Sequence, residues 1–103
     1  MMSVNCISID QAREMLRARA DVQIVDIRDP HSYGAAHIPD STHLSEQNLE
    51  QFIKETDSDT ALIVMCYHGI SSQSASAYLS SRGFTETYRL DGGFEAWQRS
   101  GGG

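Results

Sequence analysis

With 103 residues, 40% of them apolar and 21% charged, the chain has the size and make-up of one small folded domain rather than of a disordered or multidomain protein. Fourteen acidic residues against eight basic ones give a net charge of −6, which opposes nonspecific binding to nucleic acid or anionic membrane and disfavours a polyanionic substrate. No apolar run approaches the roughly 20 residues that span a bilayer, and Met1 to Asn5 has neither the basic nor the apolar region of a signal peptide, so a cytoplasmic protein is expected.

Val4-Asn5-Cys6-Ile7-Ser8-Ile9 alternates apolar and polar residues and reads as a half-exposed strand at or near a sheet edge, with Cys6 a small core residue. Ser8 and Gln11 have capping-box spacing, and Ala12, Met15, Leu16 and Arg19 follow with helical period, which predicts a helix over 9–19. Gln23 to Arg28 is β-branched and apolar until it meets charge, as in a buried strand ending at Asp26 and Arg28. Asp29-Pro30 then supplies an N-cap and a first-turn proline for a short helix across His31, Ser32 and Tyr33, confined by Gly34 and Pro39.

Thr42-His43-Leu44 suits a short strand, and Ser45 is placed to cap a helix whose apolar positions are Leu49, Phe52 and Ile53. Asp57-Ser58-Asp59 breaks that helix. Ala61 to Cys66 is a run of six apolar residues without alternation, which suits a strand buried on both faces. After it come Gly69, then Ser71 and Ser72 as N-caps for a helix from Gln73 to Arg82, closed by Gly83. Glu86 to Leu90 is a fifth strand, Asp91-Gly92-Gly93 a turn, and Phe94-Glu95-Ala96-Trp97 the start of a last helix with Phe94 and Trp97 inward. Strands alternating with helices predict an α/β domain with a mainly parallel sheet over residues 1–100, and 101–103 is a flexible glycine tail.

Cys66 stands where open α/β sheets place ligands, between a buried strand and a small loop that leads into a helix. Such a loop can gather backbone N–H groups into an anion-binding nest at the positive end of the helix dipole, and a thiolate held there is stabilised as the anion. The alternative is a buried structural cysteine, since free cysteine is among the most buried residue types. Cys6 and Cys66 show no C-x-x-C spacing, so neither a zinc site nor a redox dithiol is indicated; a disulfide between them stays open, though unusual in a cytoplasmic chain.

Four segments in this order, Val25-Asp26-Ile27-Arg28-Asp29-Pro30, Ala36-His37-Ile38-Pro39-Asp40-Ser41, Val64-Met65-Cys66-Tyr67-His68-Gly69 and Leu90-Asp91-Gly92-Gly93-Phe94-Glu95-Ala96-Trp97, resemble the rhodanese family. The likeness runs nearly end to end and is closest to the single-domain GlpE-type thiosulfate sulfurtransferases. It implies a five-stranded, mainly parallel sheet flanked by helices on both faces, with the catalytic loop at the C-terminal edge. It also implies that Cys66 takes the sulfane sulfur of thiosulfate as a persulfide and passes it to cyanide or a thiol by double displacement, with no metal and no organic cofactor. Thioredoxin is a reasonable thiol acceptor from the family.

By the same resemblance, Tyr67, His68, Gly69, Ile70, Ser71 and Ser72 form the substrate-binding loop. Many sulfurtransferases carry a basic residue there; here none is permanently charged, so weak thiosulfate affinity is expected, and another persulfide or polysulfide can serve as donor. The main enzymatic rival is a phosphatase or arsenate reductase, and cysteine phosphatases use C-x₅-R; the sixth residue after Cys66 is Ser72, and rhodanese relatives that act on phosphate have a longer loop. A non-catalytic rhodanese-like binding module usually lacks the cysteine. Asp26 and Arg28 are read as an ion-pair bracket supporting the loop, against the reading in which Arg28 meets the substrate. His68 can tune Cys66 or be a solvated loop residue, Tyr67 shapes the rim, and His37 makes a structural hydrogen bond. His31 and His43 show no partner in the sequence, and no metal site is expected.

Overall fold

A computed structural model describes residues 4–19, 21–38, 41–66 and 71–100. In chain order the elements are β1 (Val4–Ile7), α1 (Ile9–Ala18), β2 (Val22–Asp26), α2 (Pro30–Ala35), β3 (Thr42–His43), α3 (Leu49–Glu55), β4 (Ala61–Met65), α4 (Ser71–Ser81), β5 (Thr87–Leu90) and α5 (Gly93–Arg99). The five strands form one sheet in the order β1-β5-β4-β2-β3, and each neighbouring pair is parallel.

The unalternating run in β4 is explained by its central place. Period-two alternation sends Ile63 and Met65 into a cluster with Ala12, Phe94 and Trp97, and sends Leu62 and Val64 into a second cluster with Leu44, Leu79 and Phe84. Thus α1 and α5 cover one face, while α3 and α4 cover the other. Burying side chains of this size stabilises the fold by about 1.5–3 kcal/mol each.

The helix starts follow local chemistry. Ser8 Oγ accepts from the Gln11 N–H at 3.1 Å while Gln11 Oε1 accepts from the Ser8 N–H at 2.8 Å, so the expected capping box forms. Asp29 caps α2, with Pro30 in the first turn as expected, although the helix runs through Gly34 to Ala35. Gly83, at φ 108°, turns the chain after α4.

Three expectations need correcting. Cys6 is exposed and Ile7 reaches the core instead, because β1 is an edge strand and its alternation points Cys6 to the open side. Cys6, exposed, and Cys66, buried, are not joined by a disulfide. Ser45 does not cap α3: it lies too far from Leu49, and its N–H donates to Asn48 Oδ1 at 2.7 Å within a turn, with Asn48 Nδ2 donating back to the His43 carbonyl. Finally, α4 begins at Ser71, so Ser71 and Ser72 belong to its first turn rather than preceding it. Serine is tolerated there because the first N–H groups of a helix have no partner within the helix.

Candidate active site

The C-terminal ends of β2, β4 and β5 converge on Cys66, the residue that follows β4, which is 5% exposed. Parallel pairing sets its neighbours. The register Asp26↔Met65 is continued by an Ile27 N–H donating to the Met65 carbonyl at 2.9 Å, which brings the end of β2 alongside the cysteine.

On the other side the Asp91 N–H donates to the Ile7 carbonyl at 2.8 Å, and the chain then turns through Gly92 and Gly93 at φ 76° and 61°. A Cβ on Gly92 would lie 2.6 Å from Ala96 Cβ, so the turn has room only for glycine. This turn delivers the backbone N–H of Phe94 to the carbonyl of Cys66 at 2.8 Å. The sequence signals the turn through its paired glycines, but nothing in it announces that the N–H two positions on will hold the cysteine's own carbonyl.

Behind Phe94 lies a buried ion pair. Asp26 is fully buried and Arg28 is 8% exposed. Arg28 Nη2 donates to Asp26 Oδ2 at 2.7 Å, and Nε approaches both carboxylate oxygens at 3.0 Å. The Arg28 backbone N–H adds a further bond to Asp26 Oδ1 at 3.0 Å. The same Nη2 donates to the Ala36 carbonyl at 2.6 Å, and the guanidinium lies over the Phe94 ring, 4.0 Å from its centroid. A buried charge needs this degree of satisfaction, and the pair with its stacked ring ties β2 to α5.

The segment beyond Arg28 is held in the same way. Asp29 accepts from the Ser32 hydroxyl at 2.7 Å and from the Ser32 N–H at 3.0 Å, and these bonds hold its carboxyl below the usual carboxylate range, the hydroxyl contributing most. His43 Nε2–H donates to the Arg28 carbonyl at 2.7 Å and His37 Nδ1–H to the Tyr33 carbonyl at 2.8 Å. The Tyr33 ring stacks on both imidazoles, with centroids 4.0 Å from His37 and 4.7 Å from His43. His37 and His43 therefore bind backbone, and His31 is exposed on α2.

The profile of the Rhodanese-like domain family matches residues 8–100. The chain belongs to the rhodanese-like domain family.

This rhodanese-like domain is 50% identical over 97 residues to the thiosulfate sulfurtransferase GlpE of Pseudoalteromonas translucida, covering 94% of this chain and 91% of the relative. It is 55% identical over 91 residues to the enzyme of the same name from Stutzerimonas stutzeri, covering 88% and 82%. Among solved structures it is similar to a rhodanese-related protein from Thermoplasma volcanium, with a TM-score of 0.80 at 25% identity, covering 94% and 93% of the two chains.

Of the residues singled out in the sequence, the structure brings Cys66, Asp26 and Arg28 together at one end of the sheet. Tyr67, His68, Gly69 and Ile70 lie outside the described residues, and Ser71 and Ser72 open α4. No helix among the described residues is long and apolar enough to cross a membrane.

Proposed function

We propose that this rhodanese-like domain is a thiosulfate sulfurtransferase with Cys66 as its nucleophile. The observation that carries the reading is the 50% and 55% identity to thiosulfate sulfurtransferases over most of the chain. The buried cysteine at the end of a central strand supports it, as does the 11-residue helix that starts at Ser71, five residues further along the chain.

In the first half-reaction the Cys66 thiolate attacks the outer sulfur of thiosulfate. An S–S bond forms to Cys66, the S–S bond of thiosulfate breaks, and sulfite leaves with the bonding pair. In the second, cyanide or a thiolate attacks the outer persulfide sulfur and the Cys66 thiolate is regenerated, so no net oxidant is needed. Binding falls to the loop Tyr67, His68, Gly69, Ile70, Ser71 and Ser72 through backbone N–H groups and hydroxyls, aided by the α4 dipole. Arg28 is buried and committed to Asp26 and Ala36, which supports a role in holding the loop rather than in meeting the substrate. Thiosulfate affinity is accordingly weak. Thioredoxin is a protein acceptor of the right chemistry, and the cytoplasm is the compartment where cysteines such as Cys6 and Cys66 stay out of disulfides.

The test is thiocyanate formation from thiosulfate and cyanide by the purified protein, with Cys66→Ser as control. Thiocyanate that forms at an undiminished rate in Cys66→Ser removes Cys66 from the mechanism, and no thiocyanate from the wild type removes the activity.

A further inference from the structure

Beside the end of β2 lies an apolar pocket of about 120 Å³, lined by Ile27, Leu44, Leu49, Ala75, Tyr78 and Leu79. Two of its walls are continuous with the candidate active site. Ile27 carries on the register that pairs Asp26 with Met65, so it is the lateral neighbour of Cys66 on a strand about 4.8 Å away. Ala75 lies in the second turn of α4, about 6 Å along the helix from its first residue, Ser71.

The remaining walls are fixed by polar contacts outside the pocket. Asn48 ties the turn before Leu49 to Ser45 and His43. Tyr78 is 41% exposed, and its hydroxyl accepts from Arg82 Nη1 at 2.7 Å and donates to Glu50 at 3.3 Å. An apolar cavity only slightly larger, about 150 Å³, stays dry and takes up benzene.

Neither thiosulfate nor cyanide has an aliphatic chain to bury there. The geometry points to this pocket as the binding site for the aliphatic arm of a small organic thiol, about three or four carbons long, that accepts sulfur from Cys66; the inference rests on the sulfurtransferase reading above. In the transfer the acceptor loses its proton to solvent and its thiolate pair forms an S–S bond to the outer persulfide sulfur. The old S–S bond breaks and its pair returns to Cys66, leaving an alkyl persulfide with no change in overall oxidation state. Burial of the arm makes one methylene more favourable than the last until the pocket is full.

The experiment uses the whole protein loaded with thiosulfate and offers ethanethiol, propanethiol, butanethiol and hexanethiol, which have similar thiol acidity, with cyanide as an acceptor that needs no pocket. The second-order rate constant is expected to rise about fourfold per methylene up to about four carbons and then level off. Ala75→Leu, which fills the pocket, is expected to flatten the series and leave thiocyanate formation unchanged. Leu49→Ala, which enlarges it, is expected to move the plateau to longer thiols. A wild-type series independent of chain length, alongside normal thiocyanate formation, overturns the pocket while sparing the sulfurtransferase reading. A rise that persists in Ala75→Leu does the same. Absence of thiocyanate and of a Cys66 persulfide overturns both.

Discussion

The backbone N–H of Phe94 donates to the carbonyl of Cys66 at 2.8 Å, so the first turn of α5 holds the residue from which the loop departs. One hydrogen bond contributes about 1 kcal/mol, or about fivefold in a rate that depends on it. A chain assembled with an ester in place of the Phe94 amide keeps the ring, loses this donor and weakens the Gly93 carbonyl as an acceptor at the start of α5. It is expected to transfer sulfur several-fold more slowly with its circular dichroism unchanged; an unaltered rate means the bond serves the fold alone.

Asp26 and Arg28 form a buried pair whose loss from one side leaves an unpaired charge. Asp26→Asn is expected to cost about 3–5 kcal/mol in denaturant unfolding. Arg28→Lys keeps the charge but not the fork that reaches both Asp26 and Ala36, and is expected to lower the melting temperature with little change in KM for thiosulfate. A raised KM at an unchanged melting temperature would instead place Arg28 at the substrate.

Gly92 sits at φ 76° with no room for a Cβ beside Ala96. Gly92→Ala is expected to destabilise the protein by about 1–3 kcal/mol. Because this turn presents the Phe94 N–H, sulfur transfer should fall with it even at temperatures where the variant stays folded. A folded variant with full activity contradicts the link between turn and site.

Acid sensitivity has a defined source at the opposite end of the sheet. Arg19 donates to both Glu86 oxygens, at 2.8 and 3.0 Å, and Tyr88 Oη donates at 2.9 Å, which together hold the Glu86 carboxyl below its ordinary 4.5. A depressed folded-state value favours folding while the group is ionised. The contribution is therefore complete above the unfolded value and lost as pH falls through the lower folded one. Melting temperatures measured from pH 7 to pH 3 should drop less steeply below about pH 4.5 for Glu86→Gln than for the wild type. Parallel curves would assign the acid sensitivity elsewhere.

Much of this architecture was legible in the sequence where a local rule and the tertiary structure agree. The unbroken run from Ala61 to Cys66 marked a central strand, Ser8 and Gln11 marked a helix start, and Asp29-Pro30 marked another. Cys6 misled because an alternating edge strand does not say which of its two faces is covered. Ser45 misled because an asparagine three residues on took its N–H into a turn. The Asp26–Arg28 pair was visible from spacing and charge, whereas its contact with Phe94, distant in the chain, follows only from the β5–α5 turn. A contact of that kind, set by where distant elements meet, leaves no local pattern in the sequence.

The most direct test of the central claim is a single turnover without an acceptor. Protein mixed with excess thiosulfate should release one sulfite per chain, and the peptide containing Cys66 should gain the mass of one sulfur atom that is lost again on adding cyanide. Sulfite release without added mass on that peptide, or added mass on Cys6 instead, would contradict it.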